Sequence, residues 1–204
     1  MSAATLVSSP PASVRDRLLD AATLLFATRG YQAIGLRDLA GHLGLHAGSL
    51  YHHIENKQCL LFELIESALA DLLCDTRRRM RGAKTADDRV RRFVQAFVSF
   101  SLTEQHRLQL VIRELVNLSE EQQQQINTLK SHHAAILNSI IATECAPEVR
   151  QESQIGLMTH AVIGMLYGHA QWHAHEVSEQ RLAQALTGFV MGIIESAKGN
   201  THRA

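Results

Sequence analysis

The sequence predicts an all-α protein, and three observations support this fold class. Apolar residues recur at the i, i+3, i+4 and i+7 spacing of helices that bury one face. Only 3 of the 204 residues are proline, and runs rich in glycine or serine are nearly absent. Hydrophobic residues make up 46% of the chain, which is enough for a packed core. We therefore expect an all-helical chain of about nine helices.

The first three helices are predicted to form a small unit at the N-terminal end. Helix one begins after Ser13, which can cap it, and ends at Gly30. Two short helices follow, at about 36–43 and about 47–54, and Gly44 supplies the left-handed residue that ends the first of them sharply. Because the next helix restarts within three residues, the two must cross steeply. This is the geometry of a helix-turn-helix motif.

The second short helix is predicted to have an inward and an outward face. Leu50 and Ile54 can pack inward against the rest of the motif. The other residues are mostly free to face a groove of DNA, and they are Ala47, Gly48, Ser49, Tyr51, His52 and His53. His53 has a second interpretation, because it can also pack partly against the preceding helix.

Residues 14–64 resemble the TetR family of bacterial transcriptional repressors, and the match is specific in spacing throughout. The residues that carry it are Phe26, Gly30, Tyr31, Leu36 to Ala40, Gly44, Gly48 to His53, Asn56 and Lys57. The resemblance implies a homodimer with two recognition helices in successive major grooves of a palindromic double-stranded operator. Gly35 and His46 depart from the family, which usually has Ser or Thr at the first position and often Ser or Asn at the second. These departures leave the base contacts open.

The DNA-binding residues are predicted from this motif rather than from charge, since the net charge of the chain is +0. Arg37 can meet a phosphate or a guanine edge, although beside Asp38 it can also be a solvated arginine. Tyr51 and Lys57 match family positions that grip the DNA backbone, and the helix dipole at Lys57 also favours a phosphate. The full predicted set is Arg37, His46, Ala47, Gly48, Ser49, Tyr51, His52, His53 and Lys57.

Six more helices are predicted after the motif. Asn56 can cap a long helix that runs from the DNA-binding head into the body and ends near 77–82. The other five are expected at about 86–102, 103–118, 120–144, 147–173 and 179–199, with caps at Thr85, Ser119 and Ser178 and a start at Pro147. We accordingly divide the chain into a flexible arm (1–12), a helix-turn-helix DNA-binding domain (13–57) and a ligand-binding and dimerisation domain (58–204).

Small residues recur on the last two predicted helices, among large apolar ones. They are Gly156, Ala161, Gly164, Gly168, Ala170, Ala183, Ala185, Gly188 and Gly192. Because small residues let helices approach closely, this pattern favours a helix–helix interface over plain packing within the chain. The family resemblance implies that the two helices pair with their copies in a second subunit, as a four-helix dimer core.

The resemblance also implies a small-molecule effector, since in this family the ligand cavity lies within the body helices. Candidates for its lining are Phe93, Phe97, His106, Met158, His160, Tyr167 and Trp172. The spacing of the phenylalanines is more typical of a core. We expect an acyl, aromatic or similarly hydrophobic compound to release the protein from DNA. The eight Lys and Arg residues of segment 77–92 are usually a solvated face, or alternatively they dock a phosphate-bearing effector such as a CoA thioester.

Two rival functions remain as alternatives. A helical enzyme is disfavoured because no Ser/His/Asp, paired-carboxylate or Gly-rich phosphate motif occurs, so we expect no catalytic residue and no cofactor. A metal sensor would use His169 and His173, which have a ligand-compatible spacing. However, no acidic residue or cysteine follows at a spacing typical of metal ligands, and we expect no metal site. His132 and His133 point to different faces of their helix and are expected at the surface or in the lining of a pocket.

The cysteines and the apolar stretches predict the compartment. Cys59, Cys74 and Cys145 are widely spaced, which fits a reducing cytoplasm and keeps a thiol switch as a further alternative. The N-terminal residues lack the basic region and apolar core of a signal peptide, and the longest apolar stretches are too interrupted to span a bilayer. We expect a soluble cytoplasmic protein whose operator, effector and regulated genes the sequence does not specify.

Overall fold

The computed structural model describes residues 13–144, 152–171 and 177–199, with side chains to 196. Within these ranges the chain forms nine α-helices and one 3-10 turn, and no strand occurs there. The predicted all-α fold class is therefore confirmed. The N-terminal arm, the start at Pro147 and the predicted end near residue 173 lie outside the described residues.

The head consists of helices α1 (Val14–Arg29), α2 (Leu36–Leu43) and α3 (Ala47–Leu50). The predicted caps are confirmed. Ser13 and Asp16 form a capping box, in which the amide of Asp16 donates to Ser13 Oγ at 3.1 Å and the amide of Ser13 donates to Asp16 Oδ2 at 3.0 Å. Gly44 ends α2 in the left-handed region, with φ 69° and ψ 29°.

Helix α3 is shorter than predicted, because regular α-helix ends at Leu50 rather than near residue 54. The chain stays coiled beyond it through a tighter turn, in which the amides of His53 and Ile54 both donate to the Leu50 carbonyl, at 2.8 and 3.0 Å. Leu50 and Ile54 are buried, as predicted. The inward face of the recognition segment is thus preserved although the helix is short.

The body consists of α4 (Lys57–Met80), α5 (Ala86–Thr103), α6 (Gln105–Arg113), a 3-10 turn (Leu115–Asn117), α7 (Glu120–Glu144), α8 (Glu152–Gln171) and α9 (Glu179–Gly199). Asn56 caps α4 as predicted, accepting from the amide of Cys59 at 2.8 Å. The predicted helix over 103–118 is wrong in extent. At Glu114 the backbone leaves α geometry, with φ −105° and ψ 4°, and continues as the 3-10 turn.

A single hydrophobic core joins head and body. Helix α4 packs against α5, α6 and α7, while α5 packs against α9 and α7 against α8. The head attaches mainly through α1, which packs against α6. The core runs from Leu18 in α1 to Ile194 in α9, so a movement in the body helices has a packed route to the head.

Candidate nucleic-acid interface and body grooves

The outward surface of the helix-turn-helix carries most of the residues predicted to contact DNA. Tyr51, a large side chain, is 61% exposed there. The exposed members of the predicted set are Arg37, His46, Gly48, Tyr51 and His52, and the half-buried members are Ala47, Ser49, His53 and Lys57. Leu50 is fully buried beneath them. The motif therefore presents a polar surface on a fixed apolar base.

Two arginines of α1 hold this surface in place, and the sequence analysis missed both. Arg15 donates to the carbonyl oxygen of His53 and also to the carboxylate of Glu63 in α4. Arg17 donates to the Leu43 carbonyl at 3.2 Å, and so satisfies the end of α2. Their partners lie 26 to 48 positions away along the chain, beyond the reach of local spacing.

Lys57 lies where the head meets the body rather than fully in solvent. Its Nζ is 4.0 Å from the centroid of the Tyr31 ring and 5.8 Å from that of Phe26, which is cation–π geometry. Burial lowers the pKa of Lys57, while the carboxylates of Glu114 and Asp38 act in the opposite direction. One face of the ammonium is thus held by the head's own aromatic rings.

Glu114 and Asn117, on either side of Leu115 and Val116, take part in four hydrogen bonds, of which two come from Tyr31 and Gln32 of the head; we call this set the head–body latch. Glu114 accepts from the amide of Tyr31 at 3.3 Å and from the side chain of Asn117 at 2.7 Å. Asn117 in turn accepts from Gln32 through its side chain and from Gln58 through its backbone carbonyl, the latter at 3.0 Å. No local pattern marked the three bonds that reach Tyr31, Gln32 and Gln58, because they act across 59 to 85 positions.

The body interior brings together some of the predicted ligand-lining residues. Phe93, Phe97 and Met158 are buried, and the rings of Phe97 and Tyr167 lie 5.0 Å apart between centroids at 55°. Burial raises the pKa of Tyr167 to about 12. Phe97 of α5 thus contacts Tyr167 of α8, whereas Phe93 of α5 stacks on His133 of α7.

The remaining candidates lie elsewhere. His160 is exposed on α8. His106 lines a separate surface groove of about 370 Å³ between α1 and the junction of α5 with α6. Trp172 lies outside the described residues, as do His173, His175 and Cys145.

The body contains a buried histidine, His133. The prediction that it lies at the surface or in a pocket lining was wrong. His133 is 3% exposed, whereas its neighbour His132 is exposed. The Thr76 hydroxyl donates to the Leu72 carbonyl at 2.8 Å, so it must accept from His133 Nε2, 3.2 Å away. The imidazole also stacks on Phe93 with centroids 4.7 Å apart. Burial lowers the pKa of His133 to about 4, and the ring is neutral near pH 7.

The outer faces of α8 and α9 carry small and apolar residues in the open. Leu157 is 70% exposed and Phe189 is 61% exposed. A Cβ atom added at Gly164 or Gly188 would meet no atom within 4 Å in the single chain. A groove of about 820 Å³ adjoins this face, between α9 and the N-terminal half of α5.

The described part of the chain also bears on the rival functions. Residues 13–144, 152–171 and 177–199 contain no group of three or more His, Cys, Asp or Glu residues arranged to hold a metal ion. Over the same ranges, no helix combines the length and apolar character needed to cross a bilayer. Cys59 is half-buried and Cys74 is exposed, both as free thiols on α4.

Comparisons with known proteins agree with this architecture. The repressor KstR2 of Mycolicibacterium smegmatis is 27% identical over 201 residues, covering 95% of this chain and 97% of that protein. A TetR-family regulator from Bordetella parapertussis has a similar fold, with TM-score 0.82, 20% identity and coverage of 88% of this chain and 94% of that one. AibR, solved in complex with isovaleryl coenzyme A and operator DNA, has TM-score 0.76, 17% identity and coverage of 86% and 96%.

Two family models account for both parts of the molecule. Residues 18–64 match the model of bacterial regulatory proteins of the tetR family. Residues 83–194, more than half of the chain, match the model of the tetracyclin repressor-like C-terminal domain. This chain therefore belongs to the TetR family of DNA-binding bacterial transcriptional regulators.

Proposed function

We propose that this protein is a cytoplasmic repressor that binds a palindromic operator as a homodimer and leaves it when a small hydrophobic or acyl-type effector binds the body. The observation that carries the proposal is the exposed recognition surface around Tyr51, built on a buried Leu50 and attached to a separate helical body. A regulator needs both parts, whereas a helical enzyme would have no use for the first.

The proposed DNA contacts divide by their chemistry. Tyr51 and Lys57 contact phosphates and position the head on the duplex. His46, Ser49 and His52 face base edges in the major groove, where imidazole and hydroxyl groups can form hydrogen bonds. Arg37, exposed in the first turn of α2, reaches a phosphate or a guanine edge. Since the net charge of the chain is +0, binding depends on these local groups.

The proposed dimer uses the outer faces of α8 and α9. Leu157, Gly164, Gly188 and Phe189 lie open in the single chain, and covering them with a second copy would remove apolar surface from water. A two-fold axis at this face gives two heads, which can occupy half-sites about 34–36 Å apart.

The proposed effector acts through the α5–α8 interior around Phe97, Met158 and Tyr167. AibR was solved with isovaleryl coenzyme A and operator DNA, and we extend the acyl class of effector from it to this chain. An effector that separates these helices would move α6 and the 3-10 turn, and with them the head–body latch. It releases DNA only if it binds the released conformation more tightly than the DNA-bound one.

The test is selection of binding sites from a random DNA pool by the full chain. The selected sites should be palindromic, with half-sites about one helical turn apart. Tyr51→Ala and Lys57→Ala should each lower affinity by about tenfold. Loss of Lys57 should also flatten the dependence of log affinity on log salt by about one unit. Lys130→Ala is the matched control, because this lysine lies on α7 away from the head.

Two results would contradict the proposal. If no DNA sequence is preferentially selected, the proposed operator binding is wrong. The assignment of the DNA-contacting surface is wrong if gel-shift titrations give equal affinities for the wild type, Tyr51→Ala and Lys57→Ala. Thermal-shift screening with acyl, aromatic and CoA-ester compounds then identifies the effector, because a ligand that binds only the native state raises the melting temperature.

A further inference from the structure

The region that joins α4 to α5 is strongly basic in a chain without net charge. Segment 75–92 contains eight lysine and arginine residues against three aspartates, whereas the whole chain has 20 of each sign. The surplus lies on one side of the body, at the end of α4 and the start of α5. A local positive field of this kind raises the concentration of anions at the surface.

Half of these cations already have partners. Arg78 and Arg79 pair with Asp75, and the other paired cations, Arg91 and Arg92, bond Asp87 and Asp88. The other four, Arg77, Arg81, Lys84 and Arg89, form no ion pair with any residue in the described ranges. Paired arginines are a solvated face, but unpaired ones remain available to an external anion.

Arg92 also removes an obstacle to anion binding. The last carbonyl groups of a helix carry partial negative charge and would repel a phosphate at the end of α4. Arg92 donates to the carbonyls of Arg79 and Arg81 at 2.9 and 3.0 Å, and the amide of Ala83 donates to the carbonyl of Met80 at 3.2 Å. The end of α4 is therefore covered by donors.

Two of the unpaired arginines line a groove between α4, α5 and α7, which we call the Arg77–Arg89 groove. Its volume is about 330 Å³. Arg77 and Arg89 provide its charge, while Met80 and Ile140 provide apolar surface; Ile136 and Ser139 complete the lining. The groove thus offers two guanidinium groups beside aliphatic side chains, which suits a ligand that is anionic at one end and aliphatic at the other.

Three buried residues lie close to the groove residues along the three helices. Thr76 precedes Arg77 on α4, Phe93 lies one turn after Arg89 on α5, and His133 lies one turn before Ile136 on α7. These three are buried and in mutual contact through the Thr76–His133 hydrogen bond and the Phe93–His133 stack. This packing holds together the three helices that carry the groove, so Arg77 and Arg89 project from a common buried support.

We propose that the Arg77–Arg89 groove binds the phosphate-bearing end of an amphipathic effector of the coenzyme A ester type. This inference rests on the proposed effector-responsive function and specifies the chemistry of the effector. Arginine suits this role because its planar guanidinium can donate two parallel hydrogen bonds to a phosphate. The groove holds the phosphates and the adjoining aliphatic segment, since its volume is too small for a whole CoA ester.

The experiment is calorimetric titration of the full chain with acetyl-, isovaleryl- and octanoyl-CoA, and with isovalerate and octanoate as ligands that lack phosphate. The wild type should bind at least one CoA ester more tightly than the matching free acid. Arg77→Gln and Arg89→Gln should each weaken binding of that ester by roughly tenfold, and the double variant by more. Arg78→Gln is the matched control, because it removes a neighbouring charge that is paired with Asp75. All variants should retain the wild-type melting temperature and operator affinity.

The outcomes separate this inference from the proposed function. Equal affinity of the double variant and the wild type for the ester would overturn the groove assignment. Failure of all three esters to bind the wild type would also overturn it, as would an equal loss in Arg78→Gln. In those cases the regulator function still stands if a phosphate-free apolar compound releases the protein from its operator. Absence of sequence-specific DNA binding would instead overturn the proposed function.

Discussion

The head and the body of this protein are built from similar helices but concentrate their functional residues in opposite ways. In the head, the proposed DNA surface lies within segment 37–57, on α3 and its flanks and on the first turns of α2 and α4. In the body, the Arg77–Arg89 groove takes residues from α4, α5 and α7, and the apolar interior joins Phe97 of α5 to Tyr167 of α8. The functional surface of the head therefore comes from one short segment of the chain, whereas each site of the body is assembled from several helices.

This difference determines how each region responds to change. A local surface on a buried base, such as that of Tyr51 over Leu50, can lose one contact without losing its shape. An assembled site depends on the relative positions of several helices, so it can be shifted by a ligand. The latch of Glu114 and Asn117 connects the two kinds of site, because these two body residues bond Tyr31 and Gln32 of the head.

The largest expected effect comes from breaking the proposed contact between two bodies. Gly188→Glu should give a folded monomer, since a Cβ atom at this position meets no atom within 4 Å in the single chain. In a dimer the new carboxylate would be buried without a partner. Operator affinity should fall by roughly 10²- to 10⁴-fold because the two heads no longer bind together. Analytical ultracentrifugation measures the dimer, and gel shift measures the affinity.

The control for this experiment is Val116→Glu, which adds the same charge at an apolar residue that is 82% exposed on the 3-10 turn. It should remain dimeric. If Gly188→Glu is also fully dimeric and binds the operator normally, α9 is not at the interface. The dimer must then form through another surface of the chain.

A second prediction tests the buried base of the body by pH. The pKa of His133 is lowered to about 4 in the folded protein, whereas an unfolded histidine titrates near 6.5. Between these values the unfolded state binds the proton more readily, so the free energy of unfolding falls as pH decreases from about 6.5 to about 4. The contribution of His133 to this loss is about 3 kcal/mol.

Urea unfolding as a function of pH measures this loss. His133→Gln should remove that part of the pH dependence while keeping a donor for Thr76. His132→Gln is the control, because His132 is exposed. An identical pH profile for His133→Gln and the wild type would show that the imidazole is not buried in its neutral form.

The contrast between head and body also explains what could be predicted from the sequence. Caps such as Ser13 and Asn56, and the left-handed Gly44, depend on neighbours within a few residues, and all three were predicted correctly. Arg15 was missed because its partners, His53 and Glu63, lie far along the chain. Local pattern specifies elements, but their tertiary partners follow only from the packing of the whole fold.

His133 shows the same limit from the other side. It was expected at the surface or in a pocket lining, on a different face from His132, yet α7 turns it toward Thr76 and Phe93 in the core. The predicted ligand set was divided for the same reason, since His106 and His160 share helices with apolar residues but face away from Phe97 and Met158. Residue type could not give the side of the helix on which a polar group is buried.

The smallest expected effect sharpens the comparison at the junction itself. Asn117→Ala removes the side-chain bonds to Gln32 and Glu114 and should weaken head–body coupling by about 1 kcal/mol. Amide hydrogen exchange should then become faster in segment 30–36 of the head, while α7 and α8 keep their protection. Asn138→Ala is the matched control, because Asn138 bonds Thr159 within the body at 3.4 Å. Faster exchange confined to α7 and α8 in the Asn117 variant would mean that the turn supports the body rather than the head. In that case the latch would not be the route by which an effector in the body changes the DNA-binding surface of the head.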